Sequence, residues 1–321
     1  TPPVTTPPVT TPPVTTPPVT TPPSMGNMPV VNLALIPAGF AGYSDLRVLP
    51  VDANSEKIAD SPDDKGAFRV WCQYSHMLND DPIVFPGGQG KSHLHTFFGN
   101  TGANYTSTSE SIRTTGNSTC NGGIMNRSSY WVPSAILNTV PLKPDHSLIY
   151  YKHQTVTAFP KGLKMIAGSM ASTGPQANVA YECNELYSSH SDHIPPCAQG
   201  GLLSMIVEFP SCWDGKNLDS ADHKSHMAFA DTIYSACPAA HPVKLPTIKM
   251  ITYYRLTDPT GTANIRLSSD NYPTSLPAGY SGHADVMVGW DETIEQAWVK
   301  GCINAGKDCH ASLLGDGRYF Y

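Results

Sequence analysis

The sequence predicts a mostly β protein: a single sandwich or jelly-roll-like domain with long loops and few short helices, preceded by an extended stalk. Three observations carry that expectation. The 321 residues include 30 prolines and 26 glycines, a punctuation that leaves little room for long helices. Short runs rich in β-branched and aromatic residues recur between these breakers. Eight cysteines, an even count, fit four disulfides bracing a loop-rich fold in an oxidising compartment.

The stalk comes first. Residues 1–20 are four copies of Thr-Pro-Pro-Val-Thr, and Thr21-Pro22-Pro23-Ser24 begins a fifth. Proline fixes its own φ and restricts the residue before it, so the tract is driven to polyproline II. At about 3.1 Å per residue it makes a spacer roughly 70 Å long. Threonine this dense beside proline also reads as an O-glycosylated stalk. With no aromatic side chain and none apolar beyond valine, it adds nothing to a core. The division is therefore residues 1–24 as stalk and 25–321 as a disulfide-braced globular domain.

Within the domain, Phe68 to Tyr74 reads as a strand, and so do stretches within Ser147 to Phe159, Leu202 to Phe209 and Ile248 to Leu256. One helix is expected near the C-terminus. Asp291 caps it, Glu292 and Glu295 favour its start, and Ile294, Ala297 and Trp298 share a face. The sequence-near cysteines suggest the pairs Cys183–Cys197, Cys212–Cys237 and Cys302–Cys309. Three N-x-Ser/Thr sequons begin at Asn104, Asn117 and Asn126.

Composition excludes some functions. Net charge is −6, from 20 basic and 26 acidic residues, with no Lys/Arg run, so the footprint of nucleic-acid binding is missing. No apolar stretch approaches the roughly 20 residues of a membrane span. Charged residues make up 14%, against about 25% in a typical soluble domain. A surface built on Ser, Thr, Asn, Gln and Tyr suits an extracellular or cell-surface location. Thr1 opens directly on a repeat without a signal peptide, as in a mature or trimmed chain.

Chemistry concentrates in the 12 histidines. His93 and His95 form an H-x-H pair after Asp80-Asp81-Pro82, and on a strand both rings would point to one face. Asp222, His223 and His226 lie in a second polar cluster, Asp219 to His226. One helical turn would align the two histidines, and Asp222 could orient an imidazole. Asp214 with Asp222 is the carboxylate pair a glycosidase would need. His283 and Asp285 alternate onto one strand face, whereas His241, between Ala240 and Pro242, reads as structural. No P-loop, dinucleotide fingerprint, nucleophile elbow or H-E-x-x-H is present.

These motifs together resemble a known family. Asp81-Pro82-Ile83, Ser92-His93-Leu94-His95, Ser129-Tyr130-Trp131-Val132-Pro133 and Phe209-Pro210-Ser211-Cys212-Trp213-Asp214-Gly215 carry the likeness. So do Asp222-His223-Lys224-Ser225-His226-Met227, Cys237-Pro238 with His241-Pro242, and His283-Ala284-Asp285. Over about residues 66–302 the chain resembles the secreted domain of unknown function DUF1996. The resemblance implies an extracellular protein and no particular activity.

The expected function is a secreted domain acting on or binding extracellular polysaccharide through a His/Asp-rich cleft, as a carbohydrate-active hydrolase or lyase. His93, His95, His223, His226, His283, Asp222 and Asp285 are its candidate residues, and the first four could hold a divalent transition metal. The alternative is a non-catalytic adhesin, or the globular end of a glycosylated fibre self-assembling through the stalk. One cleft gathering the four histidines would explain them together.

Overall fold

The computed structural model describes residues 26–53, 55–63, 65–184, 190–231 and 235–321; the expected stalk, residues 1–24, lies outside them. Among the described residues, ten of the strands and two α-helices organise the domain. In chain order they are β1 (Gly66–Cys72), β2 (Tyr74–Leu78), β3 (His95–Gly99), α1 (Ser109–Thr114), β4 (Ser129–Pro133), β5 (His146–His153) and β6 (Lys164–Gly168). Then follow β7 (Val179–Cys183), β8 (Leu202–Glu208), β9 (Thr247–Arg255), β10 (His283–Met287) and α2 (Glu292–Trp298).

The strands form two principal sheets, as a mostly β, sandwich-like domain requires. One runs β7-β8-β9-β5-β1 and is extended by Lys307–Asp308 and Ala59–Asp60; the other runs β6-β10-β4-β3-β2. Within the five-stranded sheet every pairing is antiparallel. The main core lies between the sheets. Phe68, Val70, Ile149, Tyr151, Val207 and Met250 from one meet Phe98, Tyr130, Val132, Ala284 and Val286 from the other. The alternation on β5 and β6 follows the period-2 rule, buried side chains taking turns with half-exposed ones.

Strands β3, β4 and β10 break that rule, because all their residues are buried. Their second face carries Phe97, Trp131 and Met287, which pack with Ile83, Ala103 and Ile112. Ile83 comes from the connection between β2 and β3, and Ala103 and Ile112 come from the one between β3 and β4 that holds α1; together they roof the five-stranded sheet. The candidate site forms between this roof and the sheet.

Some expectations need correction. Phe68 to Tyr74 is the end of one strand and the start of another, in different sheets. The Gln73 amide donates to the Thr119 carbonyl at 3.0 Å, and Cys72 is bonded to Cys120, so the chain crosses between sheets there. Strand β5 ends at His153, after which the Val156 and Phe159 amides donate to Asn304 Oδ1 and Glu295 Oε1. The helix forms as read: Asp291 accepts from the Thr293 and Ile294 amides, and Ile294 and Trp298 are buried. Glu295 is buried as well. The three suggested cysteine pairs are disulfides, with Cys72–Cys120 as the fourth.

Candidate functional site

The site is assembled on the roofed face of the five-stranded sheet. Asp285 pairs with Trp131, and His95 with Pro133. His283 precedes Asp285 by two residues, so it flanks Pro133 on the side opposite His95. Two inter-strand steps separate β10 from β3 by about 9.5 Å, and the two imidazoles bridge that span: His95 Nε2 and His283 Nε2 are 3.4 Å apart. His93 joins them from the roof. Its ring centroid lies 4.2 Å from that of His95 and 5.0 Å from that of His283.

The H-x-H pair thus converges by a route other than the expected one. Only His95 is in a strand; His93 belongs to the preceding loop. Asp81 and Asp285 complete the cluster. Two overlapping sets, His93 with His95 and His283, and Asp81 with His95 and Asp285, each place one donor atom per residue within 4.8 Å of the others. All five side chains are buried. His283 Nε2 and Asp285 Oδ2 are 4.0 Å apart, as the alternation of the two on β10 allows.

Backbone carbonyls fix two of the rings. His95 Nδ1 meets the Asp80 carbonyl at 2.9 Å, and His283 Nδ1 meets that of Ser281 at 2.8 Å. A carbonyl oxygen only accepts, so each Nδ1 carries the proton and, in the neutral ring, each Nε2 presents a lone pair. Asp81 Oδ1 accepts from the Ile83 and Val84 amides. In contrast, both ring nitrogens of His93 and Asp285 Oδ2 are buried without a hydrogen-bond partner. Such atoms are rare in folded proteins and mark places where something else belongs.

Burial sets the electrostatics. It pushes His95 down to about 4 and His283 down to about 3, the latter helped by His95. His93 is likewise lowered, by burial and then by its two histidine neighbours. Asp285 is raised well above the carboxylate range by burial and by Asp81. Burial thus disfavours the charged forms across the cluster: the imidazoles are unprotonated at neutral pH, and Asp285 is pushed toward its protonated form.

The second polar cluster lies along the edge of the same sheet. The Lys164 amide donates to the Leu218 carbonyl at 3.0 Å, and Lys224 Nζ donates to the Gly168 carbonyl at 2.6 Å. Gly168 pairs with His283, so Lys224 flanks the site, and His223 is near enough to act on the Asp81 carboxyl. Neither His223 nor His226 belongs to the five-residue cluster, however. His226 Nε2 meets the Lys164 carbonyl at 2.7 Å and its Nδ1 meets Ser220 Oγ at 2.9 Å.

The helical turn expected there is absent; His223 has a φ of 58° in an irregular loop. Asp222 caps that loop, accepting from the Lys224 and Ser225 amides. Asp219, rather than Asp222, holds His223 Nδ1, at 2.8 Å. Asp214 caps its own turn at Lys216 and Asn217. His241 Nε2 donates to the Ser225 carbonyl at 2.8 Å, the structural part expected of it. Asp81 was the residue sequence reading passed over. Its place within Asp80-Asp81-Pro82, upstream of the H-x-H pair, was the available signal.

A cleft of about 300 Å³ opens over His93. Asn79 and Ser268 give it polar groups, and Met28, Pro29, Val30, Val31, Leu33 and Leu94 give it apolar walls. A larger cavity, about 440 Å³, lies at Ile206, Phe229 and Lys249 and contains none of the cluster. The chemistry favours the smaller one.

A two-sheet β domain with a buried His/Asp cluster roofed against one sheet is the class that fold and site define. The chain belongs to the family described as Domain of unknown function (DUF1996), whose model matches residues 81–290. That span contains all five cluster residues. No curated protein and no solved structure matches the chain.

Proposed function

We propose that the chain is an extracellular domain that binds polysaccharide in the cleft over His93 and acts on it there. The observation that carries this reading is His93 itself. It lines the cleft while both of its ring nitrogens lack a partner, so a ligand hydroxyl is the natural complement. Asn79 and Ser268 add polar groups, and the apolar walls suit the C–H faces of a sugar ring. Beneath the floor, the carboxyl groups of Asp81 and Asp285 lie beside unprotonated imidazoles, a pairing of acid and base groups. Hydrolysis and elimination both need that pairing. His223, His226 and Asp222 stay at the sheet edge, outside the cleft, in this reading. Four disulfides and the Thr/Pro tract of residues 1–24 support the extracellular setting.

A second reading, an adhesin or the globular end of a glycosylated fibre, draws support from that same repeat tract. One experiment separates the two. The full chain is incubated with cellulose, chitin, xylan, β-1,3-glucan and peptidoglycan, and both retention and new chain ends are measured. Retention on at least one polymer, with new ends, is expected, and both should be lost in His93→Ala. Retention without new ends and indifferent to His93→Ala would favour the adhesin. No retention on any polymer would overturn the polysaccharide assignment.

A further inference from the structure

We propose that His93, His95 and His283 bind a divalent transition-metal ion, with Asp285 and Asp81 as its carboxylate partners. The inference concerns the same cluster but does not depend on what enters the cleft.

Four observations carry it. The first is the facing pair of histidines. With both Nδ1 atoms directed at backbone carbonyls, the neutral rings of His95 and His283 aim lone pairs at each other across 3.4 Å. Nothing in that arrangement is attractive until a cation sits between them. Two imidazole nitrogens bound to zinc at about 2.05 Å with a tetrahedral angle would lie about 3.3 Å apart. The observed separation is that of two ligands on one ion.

The second observation is His93. It is 5% exposed, and neither nitrogen has a partner. One donor atom from each of the three rings falls within 4.8 Å of the other two. Turning the His93 ring to close the remaining gap breaks no hydrogen bond. The third is the pair of carbonyl contacts, from Asp80 and Ser281, which fix tautomer and ring orientation as the hydrogen-bond partners of metal-bound histidines do.

The fourth is charge. Two carboxylates, Asp81 and Asp285, are buried within this cluster, and among the described residues neither pairs with Lys or Arg. The nearby Lys224 Nζ donates to the Gly168 carbonyl. A divalent cation would neutralise both carboxylates and occupy the unpartnered Asp285 Oδ2. Three imidazoles favour zinc, copper, nickel or cobalt over magnesium or calcium.

The test uses the full chain with no polysaccharide present. The protein is stripped with chelator and titrated with Zn²⁺ by calorimetry, and its metal content after dialysis is measured by mass spectrometry. One equivalent is expected, with a rise in melting temperature, whereas Ca²⁺ and Mg²⁺ should bind at least 100-fold more weakly. Cobalt should give the visible bands of a low-coordinate nitrogen site. His93→Ala, which removes no hydrogen bond, should weaken zinc by 100-fold or more while the far-ultraviolet circular dichroism stays unchanged. Should His93→Ala unfold, His93→Gln serves in its place. His223→Ala should keep full affinity.

Less than 0.1 equivalent in the wild type would overturn the proposal. So would equal affinity in wild type and the His93 variant, or loss of zinc with His223→Ala. Zinc binding without polysaccharide retention would refute only the polysaccharide reading. Retention without zinc binding would refute only this one.

Discussion

Both ring nitrogens of His93 are buried without partners, so this side chain serves the scaffold by packing alone. Its truncation should separate site from fold: His93→Ala costs ~1–2 kcal/mol of stability, measured by denaturant unfolding, yet abolishes ligand retention. Much of the cluster could be read from the sequence, because H-x-H and H-x-D are local patterns, although strand alternation aligns only His283 with Asp285 and His93 reaches the cluster from a loop. The second cluster misled for a physical reason. Asp222, His223 and His226 are close in sequence, but in an irregular loop their polar groups satisfy the loop itself. Long-range register, which sets His95 against His283, leaves no trace in local spacing. The sequons make a further residue-scale point. Asn126 is fully buried and its amide donates to the Tyr130 hydroxyl, so no glycan fits there in the folded state. Expressed in a glycosylating host, the domain should show no sugar on Asn126 by glycopeptide mapping.

Helix α2 shows what an element adds to its residues. Its cap and apolar face were legible, since Asp291, Ile294 and Trp298 obey spacing rules. Glu295 was read only as an acid favouring the helix start. It is 4% exposed and accepts from the Phe159 amide at 2.6 Å, because the chain leaving β5 runs across the helix. Burial pushes its carboxyl from 4.5 up to about 8. Between those values the folded chain keeps a proton that the unfolded chain has released. Its contribution to stability is therefore fully present below about pH 4.5 and is lost as pH rises through 8. The span corresponds to a loss of ~5 kcal/mol. Glu295→Gln should remove that pH dependence, leaving the variant more stable than the wild type at pH 8.5 but not at pH 4. Unfolding curves at the two pH values check this, and equal slopes with pH in both proteins would refute it.

Over the whole molecule, the crossing between sheets at Gln73 is where topology and covalent chemistry meet. Cys72 ends β1, Tyr74 begins β2, and the Cys72–Cys120 bond ties the crossing down. That bond closes a loop of 48 residues, which in the chain-entropy model stabilises by ~4 kcal/mol. Replacing both cysteines with alanine should lower unfolding stability by about that amount and should loosen the two sheets together. A change below 1 kcal/mol would show that packing alone holds the crossing. The class of fold was legible from punctuation and β-rich runs. The double burial of β3, β4 and β10 was not, since the roof that supplies it is built from the irregular connections on either side of β3, outside the strands themselves. That roof is also what makes the cluster a site. It lowers the local dielectric, strips the imidazoles of water and leaves His93 at the floor of a cleft.

The central claim, that His93, His95 and His283 form one functional centre, is tested most directly by anomalous diffraction from a crystal of the zinc-loaded chain. The account predicts a single strong peak at the zinc edge between His95 Nε2 and His283 Nε2. It should lie about 2.0–2.1 Å from each, with a His93 nitrogen and an Asp285 oxygen completing the shell. The absence of a peak there, or a peak instead at His223 and Asp219, would contradict it.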